Sequence, residues 1–202
     1  MNRRGILFVI SGPSGVGKGT IKNALLSVVD SLKLSVSVTT RPPRSGEVHS
    51  REYFFVSKEQ FNQMIEGDEF LEWANVYSNL YGTPRYFVYE NLKRGQDILL
   101  EIDIQGAMQV KEKIPEGVFI FISPPNLEEL AERLCSRGKD SMSSINMRLA
   151  ACEKEMKYIE YYDYVVVNDE IHLAVDKIKS IITAERCKVK NLIGGGQVDF
   201  SF

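Results

Sequence analysis

Three cysteines, Cys135, Cys152 and Cys187, are too few and too widely spaced for a disulfide framework or a zinc site. They read as reduced thiols in a cytoplasm. No apolar run approaches the length needed to span a membrane. Arg3 and Arg4 ahead of Ile6–Ile10 resemble the start of a secretion signal, but the apolar stretch is too short and Gly12-Pro13-Ser14 interrupts it at once. There is no excess of basic charge: the net charge of −2 excludes a global field favouring nucleic acid, so polyanions must be met by local arginine clusters. Internal repeats and low-complexity tracts are also missing. What remains, 202 residues that are 44% apolar and 26% charged, suits one α/β domain, with room for inserted lobes.

The most informative segment is Gly12-Pro13-Ser14-Gly15-Val16-Gly17-Lys18-Gly19-Thr20. It follows the apolar run Ile6–Ile10 and precedes a helical pattern over about 18–30. Strand, glycine-rich turn and helix start make a phosphate cradle: backbone N–H groups converge on an anion, the helix N-terminus adds positive potential, and the lysine reaches the outer phosphates. Gly19 stands where Ser or Thr normally follows the lysine, and the hydroxyl comes one residue later at Thr20.

Further strands are predicted at Leu34–Val38, Tyr53–Val56, Phe70–Tyr77, Asp97–Asp103, Val118–Ile122 and Tyr164–Val167, with a short one within Asn79–Thr83. Helices are predicted from Ser57, whose spacing to Gln60 is that of a capping box, from Pro84, from Asn126, over Ile145–Ile159 and over Glu170–Arg186. Strands alternating with helices imply a parallel sheet covered on both faces. The stretch from about 37 to 85 breaks that alternation and reads as a small mixed lobe inserted in the core. Residues 138–144 read as a mobile loop and 189–202, with Gly194-Gly195-Gly196, as a loose tail.

Four constellations carry chemistry. The first is the cradle. The second is the apolar strand ending in Glu101 and Asp103, which alternation places on one face; beside a cradle they suit Mg²⁺, and otherwise they are polar caps of a strand end. The third is the arginines: Arg41 and Arg44 in one loop, Arg133, Arg137 and Arg148 around another. Guanidinium groups fork onto phosphate oxygens, so two clusters suggest two phosphates, one on each side of a transfer. The fourth is the lobe, where Tyr53 and Tyr81 offer hydroxyls. Glu72, set between Leu71 and Trp73, needs either a lysine or the two adjacent N–H donors of a guanine edge.

These segments, with Ser37-Val38-Thr39-Thr40-Arg41-Pro42-Pro43-Arg44, Gly46-Glu47, Tyr53-Phe54-Phe55-Val56, Phe70-Leu71-Glu72-Trp73-Ala74, Tyr81-Gly82-Thr83, Glu101-Ile102-Asp103-Ile104-Gln105-Gly106, Arg133-Leu134, Arg137-Gly138 and Val167-Asn168-Asp169, resemble the guanylate kinase family in its order over nearly the whole chain. The resemblance implies an α/β fold: a three-layer parallel-sheet P-loop core (1–36, 84–137, 149–188), an inserted mixed α+β GMP-binding lobe (37–83) and a short lid (138–148), together one domain over 4–186. It implies transfer of the ATP γ-phosphate to GMP, and to dGMP, with Mg²⁺. ATP would be held by Gly12 to Thr20 with Asn168 and Asp169. GMP would be held by Ser37, Arg41, Arg44, Tyr53, Glu72, Tyr81, Gly82, Thr83 and Asp103. Lys18, Arg41, Arg133, Arg137 and Arg148 would serve the transfer itself, and Thr20, Glu101 and Asp103 the metal, through water. The family variant Gly-Thr after the lysine accounts for Gly19. The expected setting is cytoplasmic purine nucleotide metabolism, without nucleic acid or membrane; monomer and homodimer stay open. Two alternatives remain: a non-catalytic guanylate-kinase-like module that binds phosphopeptides, and a P-loop kinase for another small acceptor.

Overall fold

The computed structural model describes residues 3–76, 78–136 and 142–193. Its centre is a sheet of five strands, all parallel, in the order β2-β7-β1-β8-β9. These are β1 (Leu7–Ser11), β2 (Leu32–Leu34), β7 (Asp97–Glu101), β8 (Val118–Ser123) and β9 (Tyr164–Val167). Side chains alternate across β1, so Phe8 and Ile10 enter one apolar layer while Leu7 and Val9 enter the other. The first layer is closed by α1 (Lys18–Val28) and α7 (Ile171–Cys187), through Ile21, Leu25, Ala174, Ile178 and Ile182. The second is closed by α3 (Arg85–Lys93) and α4 (Ile104–Lys113), through Val88, Leu92, Ala107 and Val110. Burial on both faces explains the nearly unbroken apolar runs of these strands.

A second sheet, in the order β4-β3-β6-β5, takes β3 (Val38–Thr39), β4 (Phe54–Phe55), β5 (Phe70–Val76) and β6 (Asn79–Pro84). The strand predicted over Leu34–Val38 is thus two strands in two sheets: β2 pairs with β7, whereas β3 pairs with β4 and β6. The apolar letters run on across the point where the chain leaves the core, which hides the break. The small sheet has its own core of Val38, Phe61 and Phe70, with the last two rings stacked at 4.5 Å. Phe61 comes from α2 (Lys58–Glu66), whose Ser57–Gln60 capping box is formed as expected.

A bulge between Phe70 and Glu72 in β5 breaks strict alternation. Phe70 therefore enters the small core, Leu71 the layer under α3 and α4, and Glu72 the cavity between the sheets.

α5 (Leu127–Ser136) is capped by Asn126, whose Oδ1 accepts the Glu129 N–H at 2.8 Å. It packs against α6 (Met142–Glu155) through Leu130, Leu134, Ile145 and Cys152. The helix predicted over Ile145–Ile159 begins earlier and tightens into a 3-10 turn at Met156–Tyr161. Residues 142–148 of the expected lid are helical, and 138–141 lie outside the described residues. The expected tail opens on a short helix, α8 (Val189–Ile193), held by Asn191 Nδ2 donating to the Glu185 carbonyl at 2.9 Å. Residues 194–202 lie outside the described residues.

Candidate active site

The cradle joins the end of β1 to the start of α1, at the sheet's carboxyl edge, where an open parallel sheet leaves a crevice. Gly12 lies at φ 145°, and a side chain there would meet the Ile122 carbonyl at 2.2 Å. Gly17, the N-cap of α1 at φ 97°, would strike Asn168 Nδ2. Backbone shape and close approach thus both demand glycine at these two positions. Lys18 folds back over the loop, its Nζ donating to the carbonyls of Gly12 at 2.6 Å and Pro13 at 3.0 Å.

A cavity of about 970 Å³ runs from this cradle to the small sheet. It brings together Lys18 and Thr20 from the cradle, Glu101 and Asp103 from the end of β7, and Arg41 and Glu72 from the small lobe. Gly12, Ser14, Gly15, Gly17, Gly19, Ser37, Arg44, Tyr53, Tyr81 and Arg148 line it as well.

The small-lobe side of the cavity is held by its own contacts. Arg41 makes a double contact with Glu47, both carboxylate oxygens accepting from Nη2 at 2.8 Å. Glu47 Oε2 also accepts the Arg44 backbone N–H at 2.7 Å. The Arg41 guanidinium lies 5.5 Å from the centre of the Tyr53 ring, and the Tyr53 and Tyr81 rings meet edge to face at 5.9 Å. Burial first, then the nearby Glu101 charge, pushes the Tyr53 phenol up to about 12, so its hydroxyl remains a donor. Thr39 and Thr40 brace this loop: Thr39 Oγ1 accepts the Arg41 N–H at 3.1 Å and donates to the Leu80 carbonyl, and Thr40 Oγ1 accepts the Leu80 N–H.

Glu72 is 2% exposed, and its Oε1 accepts the Thr83 hydroxyl proton at 2.5 Å. Burial raises its carboxyl to about 7; the Thr83 hydroxyl opposes that rise and the Asp103 charge adds to it. Of the lysine partner that sequence offered as one reading, Lys113 supplies only a nearby charge: its Nζ donates to the Leu71 carbonyl at 2.6 Å, and its charge draws the Glu72 carboxyl down against the effect of burial.

Several expected positions differ. Asp103 is not a strand residue: its Oδ1 caps α4 by accepting the N–H groups of Gln105 and Gly106. Glu101 ends β7 and pairs with Lys22 of α1 at 3.0 Å. Thr83 reaches the site through Glu72 rather than lining the cavity. Gly82 turns inward, where a side chain would meet the Phe70 ring at 2.7 Å, so packing of the lobe explains its lack of a side chain. Pro13 and the fully buried Val16 shape the cradle without lining it.

Arg133 holds a turn rather than facing the cavity, its guanidinium donating to the carbonyls of Asn168 at 2.8 Å and Asp169 at 3.1 Å. Asn168 is buried and donates to the Val16 carbonyl at 2.7 Å, while Asp169 Oδ1 accepts the Glu170 N–H. Asn168 therefore braces the cradle's flank, while Asp169 holds only the turn into α7. Arg148 reaches Ser14 Oγ at 3.2 Å from α6. Arg137 lies outside the described residues.

Sequence reading gave no role to four lining carboxylate or cation positions: Glu47, Lys22, Lys154 and Glu155. A carboxylate six residues after Arg41 in a two-arginine loop was the available signal for Glu47. Nothing local marked Lys22 or Glu155.

A parallel sheet whose first strand ends in a glycine-rich cradle, facing a small lobe that lines the same cavity with Arg41, Arg44, Tyr53 and Tyr81, is the architecture of a phosphate-loop kinase. The comparisons with known proteins agree. The family model "Guanylate kinase" matches residues 4–185. A guanylate kinase of Syntrophomonas wolfei is 70% identical over 192 residues, covering 95% of this chain and 98% of its own. One from Caldanaerobacter subterraneus subsp. tengcongensis is 56% identical, covering 94% and 92%. The crystal structure of guanylate kinase from Anaplasma phagocytophilum superposes with a TM-score of 0.80 at 37% identity, covering 94% of this chain and 90% of that one. The chain belongs to the guanylate kinase family.

Proposed function

We propose that the chain transfers the γ-phosphoryl group of ATP to GMP, giving ADP and GDP. One observation carries this reading: a single cavity joins the cradle with Lys18 to Glu72 and the Arg41–Tyr53–Tyr81 cluster. A cradle alone would serve any triphosphate user. A buried carboxylate beside an arginine and two phenols, across from that cradle, adds a second, purine-phosphate subsite.

An oxygen of the GMP phosphate attacks the γ-phosphorus as the bond to the β-phosphate oxygen breaks, and ADP leaves. No protein nucleophile is required, so positioning and positive charge are the chain's contribution. Lys18 and the cradle N–H groups hold the donor phosphates. Arg41, Arg44, Tyr53 and Tyr81 hold the acceptor phosphate, with Glu47 fixing Arg41. Glu72 accepts from the guanine edge, supported by Thr83, Ser37 and Asp103. Arg148 reaches the donor side from α6, and Arg133 steadies the Asn168–Asp169 flank.

Thr20, Glu101 and Asp103 line the cavity beside the cradle and offer only oxygen donors, the set that suits Mg²⁺; they would hold the ion through water, and it would neutralise ATP phosphate charge. Residues 37–83 serve as the GMP lobe and 138–148 as the lid. The setting is cytoplasmic purine nucleotide metabolism and GMP recycling.

The test is a coupled assay of ADP formation with GMP, dGMP, AMP, UMP and CMP offered in turn. Turnover confined to GMP and dGMP is expected, and Lys18→Ala should abolish it while leaving the fold intact. Preference for AMP would move the chain to another acceptor. Silence across the panel would favour a phosphopeptide-binding module.

A further inference from the structure

Gly19 is the irregular position of the cradle, since a Ser or Thr normally follows the lysine. What comes close to it instead is a carboxylate. A side chain built on Gly19 would begin 3.7 Å from Glu101 Oε1, so the end of β7 brings its charge up to the bare backbone. The other oxygen, Oε2, pairs with Lys22 Nζ at 3.0 Å. Lys22 lies one turn along α1 from Lys18, hence on the same helix face, and both line the cavity together with Gly19 and Glu101. The paired side chains are 20% and 21% exposed, so water screens them only in part. A carboxylate this near a helix N-terminus and a second lysine is an anion of the kind the cradle binds. Lys22 keeps it turned aside.

We infer that Lys22 is a positioning residue of the donor site: its ammonium holds the Glu101 carboxylate at the edge of the cradle and so keeps that anion from competing with the ATP phosphates. Lys22 acts through Glu101, not by touching the nucleotide. The two roles differ in a measurable way. A lysine that meets a phosphate adds its attraction whatever stands at position 101. A lysine that restrains a carboxylate matters chiefly while that carboxylate is present. This inference rests on the reading of the cradle as the ATP site.

The experiment measures binding of ATP and of adenosine in EDTA, so that no metal ion bridges phosphate and carboxylate. It compares wild type, Lys22→Met, Lys22→Arg, Glu101→Gln and the Lys22→Met, Glu101→Gln double variant. Lys22→Met should weaken ATP binding about tenfold, within the range of coupling between residues in contact. Measured against Glu101→Gln, the double variant should lose no more than about twofold, the residue of one screened charge. Lys22→Arg, which keeps charge and reach, should stay near wild type, and adenosine binding should not move in any variant. Should Lys22→Met fold poorly, Lys22→Gln repeats both measurements. Equal losses with Glu101 and with Gln at that position would mean that the ammonium meets the phosphates itself, and would overturn the inference. So would wild-type ATP binding by Lys22→Met, or a matching loss for adenosine. Undiminished ATP binding by Lys18→Ala would instead overturn the cradle reading, so the two failures are distinguishable.

Discussion

If Glu72 reads the guanine edge as proposed, its buried environment makes that recognition depend on pH. A carboxylate accepts two guanine N–H bonds only when ionised, and burial holds its carboxyl near 7. Bound GMP supplies donors that favour the ionised form, so binding should expel a proton near neutrality. The affinity for GMP should therefore fall as pH drops below about 7, approaching tenfold per pH unit. In Glu72→Gln that dependence should flatten and the KM for GMP should rise. Isothermal titration in buffers of different ionisation enthalpy reads the proton count, and a pH-independent wild type would refute the assignment. The sign for stability runs the other way. The folded carboxyl lies above its ordinary 4.5, so the folded state holds the extra proton. Stability of the nucleotide-free chain, relative to Glu72→Gln, should decline as pH rises from about 4.5 to about 7 and then level off. Glu47 makes a different prediction. Its double contact fixes Arg41 before any ligand arrives, so Glu47→Gln should raise the KM for GMP roughly fivefold while leaving the KM for ATP unchanged. Equal changes in both would mean a general loss of structure.

At the scale of elements, the joint between α4 and β5 decides whether the lobe sits where Glu72 can work. β5 is an edge strand of the small sheet, and α4 covers that edge with one face. Gln109 accepts the Trp73 N–H at 3.2 Å and donates to the Trp73 carbonyl at 2.8 Å, in place of a neighbouring strand. Lys113 takes the Leu71 carbonyl, and at Gly106 an added side chain would lie 2.4 Å from Glu72 Oε2. Gly106→Ala should therefore push the carboxylate and its strand away from the helix. We expect a loss of about 1–3 kcal/mol and a higher KM for GMP, with the KM for ATP little changed. Denaturant melts with the two KM values would check it; an unaffected KM for GMP would show that the joint does not control Glu72. Little of this joint was legible in the sequence. A glycine in a helical pattern reads only as a weakness of the helix, and a bulge such as that between Phe70 and Glu72 leaves no mark in an apolar run. The cradle, the Ser57 capping box and the Asn126 cap were legible because each depends on residues a few positions apart. The split of Leu34–Val38 between two sheets was not, because pairing partners about 40 to 65 residues away decide it.

At the scale of the whole molecule, the layers could be foreseen from alternation and apolar runs, but the closure of the chain on itself could not. Asp97 opens β7 and is fully buried. Its two oxygens accept from both terminal guanidinium nitrogens of Arg3 at 2.8 Å each. Oδ1 also accepts the Ile6 N–H, and Oδ2 accepts Arg186 Nε, both at 2.8 Å. One carboxylate at the start of β7 thus ties in the residues that lead into the central strand β1 and the end of α7. In the sequence Asp97 is only the first letter of an apolar strand, and its partners lie 94 and 89 positions away. The hydrogen bonds to Asp97 raise the Arg3 guanidinium further above its ordinary value, against the effect of burial. Removing the carboxylate would leave two arginines partly buried beside an unpaired N–H, a loss of about 3–5 kcal/mol. Asp97→Ala should therefore lower the melting temperature sharply while leaving kcat and both KM values near wild type at temperatures where the variant stays folded, since the tie lies outside the substrate cavity. Asp97→Asn retains an acceptor for the Ile6 N–H but loses the charge, and it should fall between the two. A mild effect of Asp97→Ala on the melt would show that the sheet and α7 close without this tie. A large effect on KM with little on stability would place Asp97 in communication with the cavity through β7, whose far end carries Glu101.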